Sequence, residues 1–212
     1  MRPIYLISQT PYPGVLHIPI LKIRFLTPDI DFSAYHGLVF TSKQAVKSLE
    51  PYSESWKRLP CMCVSEATAI AVRNAGGDDI RMADGYGKSI PESLSLEGSG
   101  GKWLYLRPKV IASEWVETAR EQGIEIDEAI MYETVCNKEG VFSPIESNGV
   151  LIFTSPSSID CFMARYEILP DQKIVVIGKT TQKRLPKGVD ATLSDSASVA
   201  SCVKIARTIA NY

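Results

Sequence analysis

The sequence predicts an α/β fold made of two similar halves, each a parallel sheet covered by helices. Three observations predict it. Short apolar runs alternate with stretches of helical spacing along the chain, the pattern of strand–helix units whose strands pair in parallel. A ten-residue segment occurs twice: GLVFTSKQAV at Gly37–Val46 resembles VLIFTSPSSI at Val150–Ile159. A second pair of segments repeats at the same offset. Ser65-Glu66-Ala67-Thr68 falls on Gly178-Lys179-Thr180-Thr181, as Phe40-Thr41-Ser42 falls on Phe153-Thr154-Ser155, 113 residues on in both cases.

The elements follow in order. Ile4–Ser8 reads as a strand, and Leu16–Leu26 alternates more loosely and reads as extended. Leu38–Phe40 is a fully apolar strand, followed by a helix that buries Ala45, Val46 and Leu49. Cys61–Val64 is the next strand; Ser65 caps the helix after it, and Gly76 ends that helix. Leu104–Leu106 is a strand, Ser113–Gln122 a helix closed by Gly123, and Ile124–Val135 is extended. On that last strand Ile130, Tyr132 and Thr134 share one face. The second series opens with the strand Val150–Phe153, and Ser155-Pro156 starts a helix with a cap and a proline at the first position. Ile174–Ile177 is a strand, and Gly178 opens the next helix. Val199, Cys202, Val203, Ala206 and Ile209 form the apolar stripe of a terminal helix.

Composition narrows the function classes. With 23 basic and 24 acidic residues the net charge is −1, so no overall field draws in nucleic acid or an anionic membrane. The apolar start of MRPIYLIS is too short for a signal peptide, no stretch reaches the length of a membrane span, and the expected compartment is the cytosol. Cys61, Cys63, Cys136, Cys161 and Cys202 are an odd number without framework spacing and read as buried free thiols. His17 and His36 stand in no catalytic context, which argues against a Ser-His relay or a multi-histidine metal site.

The four strand-to-helix junctions carry the chemistry. In a parallel α/β sheet, ligands bind beyond the carboxyl ends of the strands. Each junction places hydroxyls at a helix N-terminus, where free N–H groups favour anions. Lys43 and Lys179 add charge at two of them. Taken singly, Ser42, Ser65 and Ser155 suit helix caps, and Lys43 suits a solvated surface charge. Four junctions paired by a repeat point to a shared cleft that binds a polyanion. Tyr132 precedes the second series, where the chain crosses between the halves. By pattern alone it is a half-buried strand tyrosine.

GLVFTSKQAV, the VSEATA junction, the IMYETV strand, IFTSPSSI and KIVVIGKTT together resemble the uroporphyrinogen-III synthase family over nearly the whole chain. The resemblance implies two α/β domains joined by two extended linker strands, with a cleft between them. One domain is residues 1–24 plus 136–212, and the inserted one is residues 25–135. It further implies a cofactor-free, metal-free monomer acting on a small molecule, with no nucleic-acid or membrane partner. One departure stands out. The family has a helix after the first strand, whereas SQTPYPGVLHI leaves no room for it, and Gln9 stands where a basic residue is frequent.

The implied reaction is conversion of hydroxymethylbilane to uroporphyrinogen III with loss of water and inversion of ring D. The resemblance makes Tyr132 the catalytic candidate. It assigns substrate binding to Thr41, Ser42, Lys43, Ser65, Thr68, Ser155, Ser157, Ser158, Lys173, Gly178, Thr180 and Thr181. Lys173, at the start of a strand, equally suits a structural role. Two rivals remain. One is a non-catalytic two-domain module that binds an anionic small molecule. The other is a nucleotide-dependent transferase, which would need a glycine-rich phosphate loop that the sequence lacks.

Overall fold

The apolar runs pair as ladders in the computed structural model, which describes residues 1–83, 89–97, 101–111, 114–140, 142 and 144–211. Among these, the strands are β1 (Ile4–Ile7), β2 (Leu16–Ile18), β3 (Leu21–Phe25), β4 (Gly37–Phe40), β5 (Cys61–Cys63), β6 (Ile80–Met82), β7 (Trp103–Pro108), β8 (Ile126–Cys136), β9 (Val150–Phe153), β10 (Lys173–Val176) and β11 (Thr192–Leu193). The helices are α1 (Lys43–Lys47), α2 (Glu66–Asn74), α3 (Ser89–Leu96), α4 (Trp115–Glu121), α5 (Pro156–Met163), α6 (Lys179–Gln182) and α7 (Val199–Ala210). Ser113, where the sequence predicts a helix start, lies outside the described residues. The elements form two compact units: Met1–Ile23 with Thr134–Tyr212, and Arg24–Glu133.

The terminal unit is a sheet in the order β11-β10-β9-β1-β2, parallel throughout. Ile7 lies opposite Phe153, and Phe153 opposite Val176, so the carboxyl ends of its three central strands are level. Alternation divides the side chains between two faces. Leu6, Val150, Ile152 and Val175 meet Cys202, Val203, Ala206 and Ala210 of α7. Tyr5, Ile7, Leu151, Phe153, Ile174 and Val176 meet Ile159, Cys161 and Phe162 of α5. No helix separates β1 from β2; residues 8–15 are bends and a turn. Tyr12 and Val15 pack onto the α7 side instead. Gly14 makes this close passage possible: its φ is +76°, and a Cβ there would stand 2.7 Å from an Arg207 guanidinium nitrogen.

The inserted unit is a sheet in the order β3-β8-β7-β4-β5-β6. Strands β4 to β8 run parallel. Edge strand β3 does not. The Leu26 N–H donates to the Met131 carbonyl and the Asn137 N–H to the Ile20 carbonyl, each at 2.8 Å, so β3 runs antiparallel to β8. These two strands are also where the chain passes between the units. One face of the sheet holds Val39, Met62, Trp103 and Tyr105 against Ile90 and Leu94 of α3 and Trp115, Val116 and Ala119 of α4. Ala45 and Val46 of α1 and Ala69 and Val72 of α2 are buried as well. Beyond α2, Gly76 takes φ +91°, the left-handed position that closes a helix.

Three expectations need correction. β6, α3 and β11 are additional elements; β6 and β11 are too short to show a period, and α3 carries Pro91. The even alternation of β8 fails: Arg107 lies opposite Ile130, but Pro108 lies opposite Tyr132. Met131 is the extra residue of a bulge. Consecutive Met131 and Tyr132 are therefore both buried, and Ile130, Tyr132 and Thr134 do not share a simple face. Pro108 has no N–H to continue a ladder, which accounts for the break at this point. Lastly, Cys136 and Cys161 are not free thiols; they form a disulfide, with Cα atoms 5.2 Å apart. Folding brings a strand end onto α5 across 25 residues, which spacing in the sequence does not reveal. The cysteine pattern therefore gives no argument for a reducing compartment. Cys61, Cys63 and Cys202 are free and buried. Burial pushes the thiols of Cys61 and Cys63 up to about 12, which makes them inert. Among the described residues no helix is long and apolar enough to cross a membrane.

Candidate functional site

In the inserted unit the carboxyl ends of the parallel strands are level. Phe40 lies opposite both Cys63 and Leu106, and Pro108 opposite Tyr132. The residues that follow these ends therefore share one edge of the sheet: Thr41, Ser42 and Lys43 after β4, and Ser65 after β5. Tyr132 of β8, opposite the last residue of β7, joins them. Ser42 caps α1, its hydroxyl accepting the Gln44 N–H at 3.1 Å. Ser65 caps α2 by accepting the Thr68 N–H at 3.3 Å. The Ser65 and Thr68 hydroxyls also meet at 2.9 Å. Thr68 is only 2% exposed, so its hydroxyl faces the cap rather than solvent.

Tyr132 is 6% exposed. Burial raises its phenol above the ordinary tyrosine value. The adjacent Ser42 hydroxyl favours the ionised form and opposes the shift, and nearby Tyr105 adds to it. Tyr105, on β7, is one of two residues here that the sequence pattern does not single out. Its hydroxyl meets that of Thr41 at 3.0 Å, its ring packs on Trp115 with centroids 4.8 Å apart, and burial raises its phenol too. The signal for it in the sequence is a polar-tipped aromatic within an otherwise apolar run. Arg107 was missed as well. Its Nη1 donates to the Pro108 and Lys109 carbonyls at 2.9 and 3.1 Å, and its Nε lies 2.7 Å from Glu128 Oε1. The neighbouring Glu133 carboxylate is held below its usual range by Arg24 first and Lys109 second.

The terminal unit has the matching edge, with Ser155 after β9 and Gly178 after β10. Ser155 caps α5 in a reciprocal box: its hydroxyl accepts the Ser158 N–H at 3.1 Å, and the Ser158 hydroxyl accepts the Ser155 N–H at 3.2 Å. Ser158 is fully buried, whereas Ser157 is exposed. Gly178 caps α6 without a side chain; Thr180 is exposed and Thr181 buried. α1 and α6 have only 5 and 4 residues, so they offer free N–H groups but little aligned dipole. α2 and α5, at 9 and 8 residues, offer both.

Lys173 stands apart. It opens β10 opposite Val150, which opens β9, so it occupies the amino edge of the sheet, a strand's length from Ser155 and Gly178. The structure does not bring it together with the junctions. A hollow of about 650 Å³ in the inserted unit, bounded by Val46, Leu49, Trp56, Ala71 and Ala75, also shares no junction residue. Lys47, Lys57 and Glu50 also line it. Among the described residues, no cluster of side chains could hold a metal ion.

The model of the family described as "Uroporphyrinogen-III synthase HemD" matches residues 14–204. No curated protein sequence matches the chain. Among solved structures, a uroporphyrinogen-III synthetase from Helicobacter pylori is similar, with a TM-score of 0.79 and 24% identity over 99% of this chain and 100% of the other. A mutant uroporphyrinogen III synthase from the extremely thermophilic bacterium Thermus thermophilus gives a TM-score of 0.51 and 13% identity, over 94% of this chain and 91% of the other. At these identities the two structures speak for the fold alone, and the family model carries the assignment. It spans nearly the whole sequence, both junction series and the Tyr132 strand included, and the chain belongs to the uroporphyrinogen-III synthase family.

Proposed function

We propose that this chain converts hydroxymethylbilane to uroporphyrinogen III, with Tyr132 assisting the step that expels water. The supporting observation is the setting of Tyr132: a buried, neutral phenol beside Ser42, turned by a bulge at the carboxyl edge of the sheet. The hydroxymethyl group of the substrate must lose its oxygen to give an azafulvene. A phenol above its usual pKa remains protonated at neutral pH and donates a hydrogen bond to that departing oxygen. Ring D then attacks through its substituted carbon to give a spiro intermediate, which fragments and recloses with the ring inverted. The substrate supplies the reactivity and calls for no cofactor. The protein's task is to hold the chain in the folded conformation that favours this route.

The substrate's carboxylates suit the exposed hydroxyls and N–H groups of the junctions, in both units, better than a single basic patch. In this reading Thr41, Ser42, Lys43, Ser65, Ser155, Ser157, Gly178 and Thr180 contact substrate, several of them through the backbone. Thr68, Ser158 and Thr181 are buried and act by shaping the helix ends. Lys173 has no part. The test is a coupled assay in which hydroxymethylbilane is generated in the presence of the pure protein and the product isomers are separated after oxidation. Isomer III is expected. Isomer I alone, at the rate of spontaneous closure, would leave only a binding module.

A further inference from the structure

The terminal unit holds a reactive group that the proposed reaction leaves unused. The Cys136–Cys161 disulfide joins the last residue of β8 to α5. It borders a cleft of about 320 Å³, with Ile20 and Ala164 as apolar walls and Lys138 and Arg165 as its charged groups. Among the described residues no carboxylate lines this cleft. Lys138 and Arg165 are both exposed, and neither has an acidic partner among the described residues. The Arg165 guanidinium is held over the Phe142 ring at 4.5 Å. Cys136 is half-buried, while Cys161 is 5% exposed and packs into the core from α5. The end of β8 is also held by bonds other than the sulfur link. The Asn137 N–H donates to the Ile20 carbonyl at 2.8 Å, and its side-chain amide to the Pro19 carbonyl at 3.1 Å. These bonds do not involve the sulfurs and are available whether the disulfide is closed or open.

We propose that this cleft is a thiol–disulfide exchange site for small anionic thiols of the glutathione class. The attacking thiolate forms a bond to Cys136 Sγ, the more exposed partner. The disulfide bond breaks, and its electron pair leaves on Cys161 Sγ, which takes up a proton from water. Cys136 is then joined to the small thiol in a mixed disulfide. A second small thiolate attacks the small-thiol sulfur of that mixed disulfide. This releases the Cys136 thiolate, which is protonated in turn, and the oxidised small-molecule disulfide. One protein disulfide and two small thiols thus become two protein thiols and one small disulfide, a balanced two-electron exchange. Lys138 and Arg165 favour this exchange in two ways: they attract the carboxylates of the incoming thiol, and they stabilise its thiolate at the point of attack.

The test uses the full chain, purified without reductant, with alkylation and intact mass as the readout. Second-order rates of opening are measured with glutathione, 2-mercaptoethanol and cysteamine, which are anionic, neutral and cationic, each normalised to its thiolate concentration. Glutathione is expected to lead cysteamine by about 5- to 10-fold at low salt, with the difference collapsing at about 0.5 M salt as the field is screened. Lys138→Gln and Arg165→Gln, both at exposed positions, should remove the preference, slowing glutathione several-fold more than 2-mercaptoethanol, whose thiolate carries no carboxylate. Cys136→Ser should abolish the mixed disulfide. Equal normalised rates for the three thiols would overturn the proposal. So would alkylation of Cys136 and Cys161 in the native, unreduced chain.

Discussion

At Tyr132 the decisive feature is one extra residue. Met131 has no counterpart on β7, and the bulge it makes turns Tyr132 inward beside Ser42. The identity of Tyr132 and its strand could be read from IMYETV, but its direction could not. The break lies opposite Pro108, on a different strand, and strand alternation carries no trace of it. Tyr105 was hidden for the same reason, since its partner Thr41 reaches it only through the pairing of β4 with β7. We predict that Tyr132→Phe lowers turnover by about 100-fold, the scale of a positioned proton donor, with little change in product affinity. The residual enzymatic product should stay isomer III; full activity in the variant would leave Tyr132 a packing residue. The raised phenols fix the pH behaviour too. A group whose folded pKa lies above its unfolded value, about 10 for tyrosine, contributes stability that is complete below that pH. The contribution is lost as pH climbs through the folded value. Activity between about pH 6 and 9 should therefore show no limb that disappears in Tyr132→Phe, which a pH–rate comparison of the two proteins checks.

Among the elements, the helix starts were the most legible. Ser42, Ser65 and Ser155 each accept an N–H from the first turn, as the position of a hydroxyl before an apolar stripe implies. Less legible was which hydroxyls remain available. Thr68 and Ser158 occupy the third helical position, where the turn carries the side chain back onto the cap and out of solvent. Replacing Ser155 by Ala should cost about 1 kcal/mol, because it leaves the Ser158 N–H without its acceptor. Urea unfolding of the full chain measures this, and an unchanged midpoint would mean that water replaces the hydroxyl at no cost. Short edge elements lay beyond the sequence signal altogether. β6 and β11 owe their form to a neighbouring strand already in place, not to local propensity.

At the scale of the whole molecule, the repeat announced two related sheets, but not the reversed edge strand β3 or the sulfur link at the end of β8. Each sheet has its own hydrophobic clusters among the described residues. The segment Arg24–Glu133 should therefore unfold cooperatively in urea when produced alone. Measurement by circular dichroism checks this; a broad, featureless transition would show that the inserted unit depends on the other. The order of the terminal sheet has a consequence for synthesis. β1 lies between β2 and β9, and Ile4 waits for Val150. At about 5–20 residues per second a ribosome needs about 7–30 s to supply that partner. During that interval the inserted unit can complete itself, while Tyr5, Leu6 and Ile7, all buried in the finished protein, have β2 on one side and no partner on the other. A chaperone that shields extended apolar segments would have its main work on that open side of β1, until β9 is made.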